Sequence, residues 1–386
     1  MKLLFATLLS HNTVEIFKFN WFASRLHLDH GFEIPHILLN DGTLTVDDIT
    51  DLNSLLNVVV HPEPIHLYDV PKAVYLAKLQ CFDVGFEKYQ ADRVVIIDTD
   101  VFFYKPWDAD LQKICRSPAI CLRDWGSSLG PNIEQYKQLY GVTEDAMTPN
   151  CNTGLYSIPV EQHYKIKRAM KKHFEQPFMI MEDQGIFFAA FYGEIEYING
   201  FKCIVNGAED YDFIWQWILA QRGSHLMGMR VRPKAYESLT NHTIQSFPEK
   251  VHLSQFVPKR KYIHYGLMEY ETYDFTKPWA AFPTSSNQVF ITDALYVHGG
   301  SWIEWQLPRQ FQRFETQLVC MDTGISVNCQ PVTINGIEYK LNEKIDVELN
   351  GQLKIETKYG DGAHYAFLSP RLTINKGGRA PILVSG

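Results

Sequence analysis

Apolar and polar positions fall in alternating blocks through the first two-thirds of the chain. Leu3 to Leu9 is almost wholly apolar, which predicts a buried strand, and Val14 to Leu28 places aromatic and apolar side chains on one helical face. Pro35 to Leu39 reads as a second strand, stopped by the turn signal Asn40-Asp41-Gly42. Val58 to His61 is a third short strand, Lys72 to Phe86 a helix, and Arg93 to Ile97 an apolar strand running into Asp98-Thr99-Asp100. Strand and helix in turn imply an α/β fold, a mostly parallel sheet flanked by helices on both faces. Ligands of such sheets bind beyond the carboxyl ends of the strands.

The pattern changes after about residue 280. Asn335-Gly336 and Asn350-Gly351 separate short alternating runs (Pro331 to Ile334, Glu338 to Leu341, Ile345 to Leu349, Leu353 to Lys358), which predicts two hairpins. The expected organisation is an α/β domain over 1–280 and a small antiparallel β module over 281–386, with no repeat or Gly/Ser linker between them.

Composition narrows the class. The chain has 386 residues, 46% hydrophobic and 21% charged, and a formal net charge of −8. That balance speaks against an overall electrostatic grip on nucleic acid or an anionic membrane. No apolar run reaches the ~20 residues of a membrane helix. The opening Met1 to Ser10 imitates a signal peptide, but its apolar run is short and no small-x-small site precedes His11-Asn12. The seven cysteines form no C-x-x-C pair, so free thiols and a cytoplasmic location are expected.

Asp98-Thr99-Asp100 is the most informative segment. Along an extended chain, residues two apart point the same way, so both carboxylates reach one hard divalent cation, Mg²⁺ or Mn²⁺. The bland alternative is a solvated turn at a strand end. Two other segments have similarly bland readings: His264, in Tyr262-Ile263-His264-Tyr265, as a core histidine, and Asp183-Gln184 as a helix cap before the apolar run Ile186 to Tyr192.

Arg93-Val-Val-Ile-Ile-Asp98-Thr-Asp100-Val-Phe-Phe-Tyr-Lys-Pro resembles the metal-binding strand of GT-A-fold (Rossmann-like) glycosyltransferases, most of all glycosyltransferase family 8, which includes glycogenin, galactinol synthase and lipopolysaccharide sugar transferases. Six more segments follow in that family's order over roughly residues 1 to 280. Phe5 to Asn12 resembles the nucleotide-binding first strand and loop, and Leu76-Ala-Lys78 the helix whose lysine faces the donor sugar. Cys151-Asn152-Thr153-Gly154 resembles the Asn-Ser/Thr-Gly strand, Glu182-Asp183-Gln184-Gly185 the helix start under the sugar, and Asn206 a late asparagine of the catalytic domain. Tyr262-Ile-His264-Tyr-Gly266 resembles a His-x-x-Gly element that supplies a metal-ligating histidine.

The resemblance implies a retaining, metal-dependent glycosyltransferase that moves a hexose or pentose from a nucleotide sugar, UDP-linked by preference, to a glycan or other hydroxyl acceptor. Asp98, Asp100 and His264 would hold the cation, and the imidazole favours Mn²⁺ over Mg²⁺. Asp183 and Gln184 would face the reacting sugar, with Lys78 and Asn152 on its hydroxyls. Thr7, Leu8, Asn12, Thr99, Gly266 and Lys277 would border nucleotide and diphosphate.

The family's compact His-x-x-Gly-x-x-Lys-Pro-Trp is opened out here. Gly266 follows His264 by two and Lys277-Pro278-Trp279 comes later, so the diphosphate role falls to Lys277 or to Lys259, Arg260 or Lys261. Tyr211, Trp215 and Trp217 are core aromatics or acceptor-cleft walls, and Asp210-Tyr211-Asp212 reads as a helix start. Two other functions fit an aspartate pair on an α/β sheet. A nucleotidyltransferase usually carries a Gly-rich basic phosphate loop, which Thr7 to Thr13 lacks; a non-catalytic carbohydrate-binding protein would not release nucleotide. A nucleic-acid acceptor is disfavoured by the charge. The β module is assigned to acceptor binding, homo-oligomerisation or bracing of the catalytic domain.

Overall fold

The continuous apolar runs pair with one another because each is covered on both faces. The computed structural model describes residues 1–66, 73–124, 137–138, 141, 150–175, 182–204, 223–226, 241, 243–262, 294–320, 330–358 and 363–377. The chain divides into two compact units, Met1–Ser246 and Phe247–Arg379. The boundary expected at 280 lies outside the described residues.

In the first unit, β1 (Leu3–Leu9), β2 (His36–Asn40), β3 (Val58–Val60) and β4 (Arg93–Ile97) are parallel, in the spatial order β3-β2-β1-β4. β5 (Val101–Phe103) leaves this sheet. β6 (Ala119–Asp124), β7 (Asn150–Pro159) and β8 (Ile195–Ile198) complete it to seven strands in the order β3-β2-β1-β4-β7-β6-β8. Only β7 is reversed, antiparallel to β4 and β6, while β6 and β8 are parallel. β5 pairs with β10 (Gly223–Leu226), which in turn pairs with β9 (Phe201–Ile204). The expected mostly parallel α/β sheet is therefore present.

Helices cover both faces. One core joins Leu4, Val94, Ile96, Phe82, Tyr156, Ile166 and Phe187, and the other joins Phe5, Val95, Ile97, Phe103, Trp107 and Ile120. The helices are α1 (Val14–Leu26), α2 (Val46–Asn53), α3 (Ala73–Lys78), α4 (Gln80–Asp83), α5 (Asp108–Arg116), α6 (His163–Glu175) and α7 (Glu182–Ala190). The turn before α2 follows the sequence signal: Asn40 Oδ1 accepts from the Gly42 amide at 2.8 Å and Gly42 adopts φ +97°. The single helix expected from Lys72 to Phe86 is instead broken into α3, α4 and a π turn, Val84–Lys88. Gly85 lets that turn lie on the sheet, because a Cβ there would stand 2.5 Å from Val94 Cγ2.

The second unit is all β: β11 (Lys250–His252), β12 (Arg260–Tyr262), β13 (Ala294–His298), β14 (Trp302–Gln306), β15 (Phe311–Cys320), β16 (Val332–Ile334), β17 (Ile337–Tyr339), β18 (Lys344–Glu348), β19 (Gln352–Glu356) and β20 (His364–Ile374). They form two antiparallel sheets, β11-β20-β15-β18 with β13 on β20, and β12-β14-β19-β16-β17. Phe256 joins them, edge-on to Phe311 at 5.1 Å in one sheet while its carbonyl accepts from the Trp305 indole of the other at 3.1 Å.

Asn335-Gly336 turns the expected hairpin β16–β17, with φ of 48° and 83°. Asn350-Gly351 does not make a hairpin. β18 pairs with β15 and β19 with β14, so this dipeptide is a corner between sheets, held where the Gly351 carbonyl accepts from the Leu307 amide and Gln306 Nε2, each at 2.8 Å. Cys81, Cys115, Cys121 and Cys151 are free, as expected, but Cys320 is disulfide-bonded, which corrects the reading of all seven as thiols. Among the described residues, no helix is long and apolar enough to cross a membrane.

Candidate functional site

The parallel strands β1 and β4 end together, and the reversed strand β7 begins on that same edge. Its first residues therefore lie against the end of β4, where the Asp98 amide donates to the Gly154 carbonyl at 2.7 Å. Asn152 shapes this stretch, its Oδ1 accepting from the Gly154 amide at 2.9 Å. Reversal of one strand thus brings residue 98 and residues 152–154 together.

Lys78, at the end of α3, reaches into this junction. Its side chain is buried, and Nζ donates to Asp98 Oδ2 at 3.0 Å and to the Thr153 carbonyl at 3.1 Å. Asp183, in the first turn of α7, places Oδ2 2.7 Å from the same ammonium, an ion pair outside hydrogen-bond geometry. Two of the three N–H directions of the ammonium are thus spent on hydrogen bonds, and the Asp183 carboxylate balances its charge beside them. Burial alone would lower the Lys78 pKa, but the Asp183 and Asp98 carboxylates outweigh it and hold the pKa above its ordinary value. The Tyr156 ring lies 5.5 Å below the cation, and burial, then Asp183, pushes its phenol well up.

The metal segment differs from its expected form. β4 stops at Ile97, and Asp98-Thr99-Asp100 is a turn closed by the Val101 amide on the Asp98 carbonyl at 3.3 Å. Strand alternation therefore does not set where the two carboxylates point. Both residues are partly buried at the carboxyl edge of the sheet, and Asn20 Nδ2 pins the turn by donating to the Thr99 carbonyl.

Thr7 is buried one strand away and its hydroxyl is committed. Arg25 Nη2 donates to His36 Nδ1 at 3.0 Å; a guanidinium cannot accept, so Nδ1 carries no proton. The imidazole Nε2–H then donates to Thr7 Oγ1 at 2.9 Å, and Thr7 donates to the Ile97 carbonyl at 2.7 Å. Burial pulls the Arg25 guanidinium down to about 9, still charged at neutral pH, and burial together with that charge holds His36 well below its ordinary value. This chain props the end of β4 immediately before Asp98. Thr7→Val is expected to cost about 1–3 kcal/mol, because it strands a buried carbonyl and a buried imidazole N–H; urea denaturation of the variant checks it.

Of the other sequence-derived positions, Leu8 is half-buried in β1, Asn12 is exposed in the turn after it, and Gln184 is half-buried beside Asp183. Arg260 lies in the second unit, where Nη2 bonds Glu304 Oε2 at 2.6 Å. His264, Gly266, Lys277, Asn206, Asp210, Tyr211, Asp212, Trp215 and Trp217 lie outside the described residues. Sequence reasoning missed Asn20, Tyr156, the Thr153 carbonyl and the Arg25–His36–Thr7 chain. None carries a local signal, since the burial of Arg25 and His36 exists only in the fold. Among the described residues, Asp83, Glu87 and His163 bring ligand atoms within 4.8 Å of one another, and Lys167 Nζ lies 2.6 Å from Glu87 and 3.5 Å from Asp83.

No protein-family model matches this chain, and no curated protein sequence does. Among solved structures, the galactosyltransferase LgtC, crystallised with donor and acceptor sugar analogues, is similar over 58% of this chain and 87% of its own, at 15% identity and a TM-score of 0.42. The bifunctional glycosyltransferase WbbM is similar over 64% of this chain and 49% of its own, at 14% identity and a TM-score of 0.45. Mouse xyloside xylosyltransferase 1 is similar over 58% of this chain and 97% of its own, at 10% identity and a TM-score of 0.40.

Proposed function

We propose that the first unit is the catalytic part of a metal-dependent, retaining glycosyltransferase that moves a hexose or pentose from a nucleotide sugar, UDP-linked by preference, to a hydroxyl acceptor such as a glycan. The observation that carries this reading is the convergence of Lys78, Asp98, Asn152-Thr153 and Asp183. These residues come from four separate segments and meet at the carboxyl edge of the parallel strands, where ligands of such sheets bind.

Two partly buried carboxylates, Asp98 and Asp100, have the donor chemistry of a hard divalent cation site. A bound Mn²⁺ or Mg²⁺ would supply Lewis-acid polarisation of the diphosphate leaving group. The chain's own part is positioning and charge. Lys78 ties Asp98 to Asp183, fixing α7 against the end of β4 and holding the Asp183 carboxylate where positive charge develops on the anomeric carbon. Asn152 shapes the wall of the site through Gly154. Leu8, Asn12 and Thr99 border the nucleotide and Gln184 the sugar, while Thr7, its hydroxyl committed to His36 and Ile97, holds the strand end in place. A cytoplasmic location goes with the proposal through the thiols that are free among the described residues, Cys81, Cys115, Cys121 and Cys151.

The test is nucleotide release by the full chain from a panel of UDP-, GDP-, ADP- and CMP-sugars, with Mn²⁺ and with EDTA. One donor is expected to be turned over with Mn²⁺ only, and Asp100→Asn to lower the rate about 10²-fold or more. Turnover indifferent to metal and to the substitution would overturn the metal-dependent reading. Glycan binding without nucleotide release would favour a binding protein.

A further inference from the structure

The outer face of the sheet β12-β14-β19-β16-β17 carries an arrangement that the packing of the second unit does not require. Its inner face holds the apolar side chains: Ile303, Trp305, Leu353, Ile355, Val332 and Ile334 are all buried. Alternation then turns the intervening residues outward. Tyr262, Trp302, Glu356 and Thr333 stand opposite one another in one row across four strands. Arg260, Glu304 and Lys354 form the next row, and Gln306 and Gln352 the third.

Tyr262 is 50% exposed and Trp302 is partly exposed, and the two are register partners on the outer face of the sheet. Hydrogen-bonding groups surround them. Lys354 Nζ lies over the Trp302 ring, 5.9 Å from its centroid, and 2.7 Å from Glu356 Oε1, and Gln352 Nε2 donates to Gln306 Oε1 at 3.5 Å.

We infer that this face binds a neutral oligosaccharide. A pyranose presents a C–H face that stacks on an aromatic ring and, around its rim, hydroxyls that both donate and accept; carboxylates, amides and ammonium groups beside the rings match that rim. Charge argues against the other occupants. Arg260 and Lys354 are balanced by Glu304 and Glu356, which leaves no excess positive charge for a polyanion. The polar rows also interrupt the apolar area that a lipid surface or an amphipathic helix would need. The inference stands on this face alone and borrows from the glycosyl-transfer reading only the choice of probes.

The experiment is an array printed with neutral gluco-, galacto-, manno- and xylo-oligosaccharides, heparin and anionic phospholipid vesicles, probed with the full chain carrying Asp98→Asn. Binding to at least one neutral oligosaccharide is expected. Trp302→Ala and Tyr262→Ala should each weaken it about tenfold or more, while Trp302→Phe, which keeps a ring, should retain it. Thermal unfolding of each variant shows that the unit remains folded. Failure to bind any neutral oligosaccharide, binding unchanged in Trp302→Ala, or binding to heparin or vesicles alone would overturn the inference. The Asp98→Asn background separates this result from donor turnover, which can fail without touching it.

Discussion

Replacing Lys78 with methionine is expected to cost about 3–5 kcal/mol of folding stability, the usual penalty for removing one partner of a buried ion pair. Methionine keeps most of the apolar stem, so packing contributes little to the loss. What is lost is the cation. Asp183 is buried and Asp98 largely so, and Lys78 Nζ is 2.7 and 3.0 Å from their carboxylates. The raised Lys78 pKa means that the pairing is fully present below the ordinary lysine value and is lost only as pH rises through the folded one; it therefore contributes evenly across neutral pH. Urea denaturation at pH 7 measures the loss, and for a unit of this size the midpoint of thermal unfolding should fall by about 10 °C. Adding Asp183→Asn to Lys78→Met should recover part of the stability, because it removes an orphaned charge, and a double-mutant cycle reads the coupling. A loss below about 1 kcal/mol would show that the carboxylates are solvated without Lys78 and that the junction is not held by charge.

Lowering the pH from 7 to 5 is expected to destabilise the first unit, with His27 alone accounting for about 2 kcal/mol. Burial pulls His27 from 6.5 down to about 4, so between those values the unfolded chain binds a proton that the native state refuses. Stability is then complete above pH 6.5 and declines as pH falls toward 4. His36 acts in the same direction, from burial first and Arg25 second, because protonating Nδ1 would set an N–H against the guanidinium that now donates to it. Burial also lowers His173. Denaturation curves at pH 7, 6 and 5 test the slope, and His27→Gln should reduce it by the contribution of one group. A curve that is flat over this range would mean that these rings reach water in the native state.

The elements most legible in the sequence are those whose cause is local. β1 and β4 read as buried strands because Leu3–Leu9 and Arg93–Ile97 meet apolar side chains on both faces, leaving no alternation to confuse with a helix. Asn335-Gly336 reads as a hairpin because both residues adopt positive φ, which asparagine and glycine tolerate. The same two-residue signal at Asn350-Gly351 misled, since neighbouring strands choose partners by long-range pairing and these two chose different sheets. The break between α3, α4 and the π turn was hidden for a similar reason: helical periodicity runs through it, and only the approach of Gly85 to Val94 opens the turn.

Residue identity, together with the order of motifs in the family the chain resembles, determined which side chains are candidates for chemistry: an aspartate pair after an apolar strand, an Asn-Thr-Gly stretch, an Asp-Gln helix start and a lysine within the helix expected from Lys72 to Phe86. It also determined the α/β class, which follows from where apolar runs lie. Tertiary structure decided that β7 runs against its neighbours, and hence that Asn152 and Thr153 lie beside Asp98. It decided that Lys78 donates to Asp98 and Thr153 and pairs with Asp183, and that Thr7 supports a strand end through His36 and Arg25. The physical reason is one of range. Hydrophobic period and turn chemistry act within a few residues, whereas an ion pair between positions 78 and 183 exists only after the sheet has closed and water has been removed from around both charges.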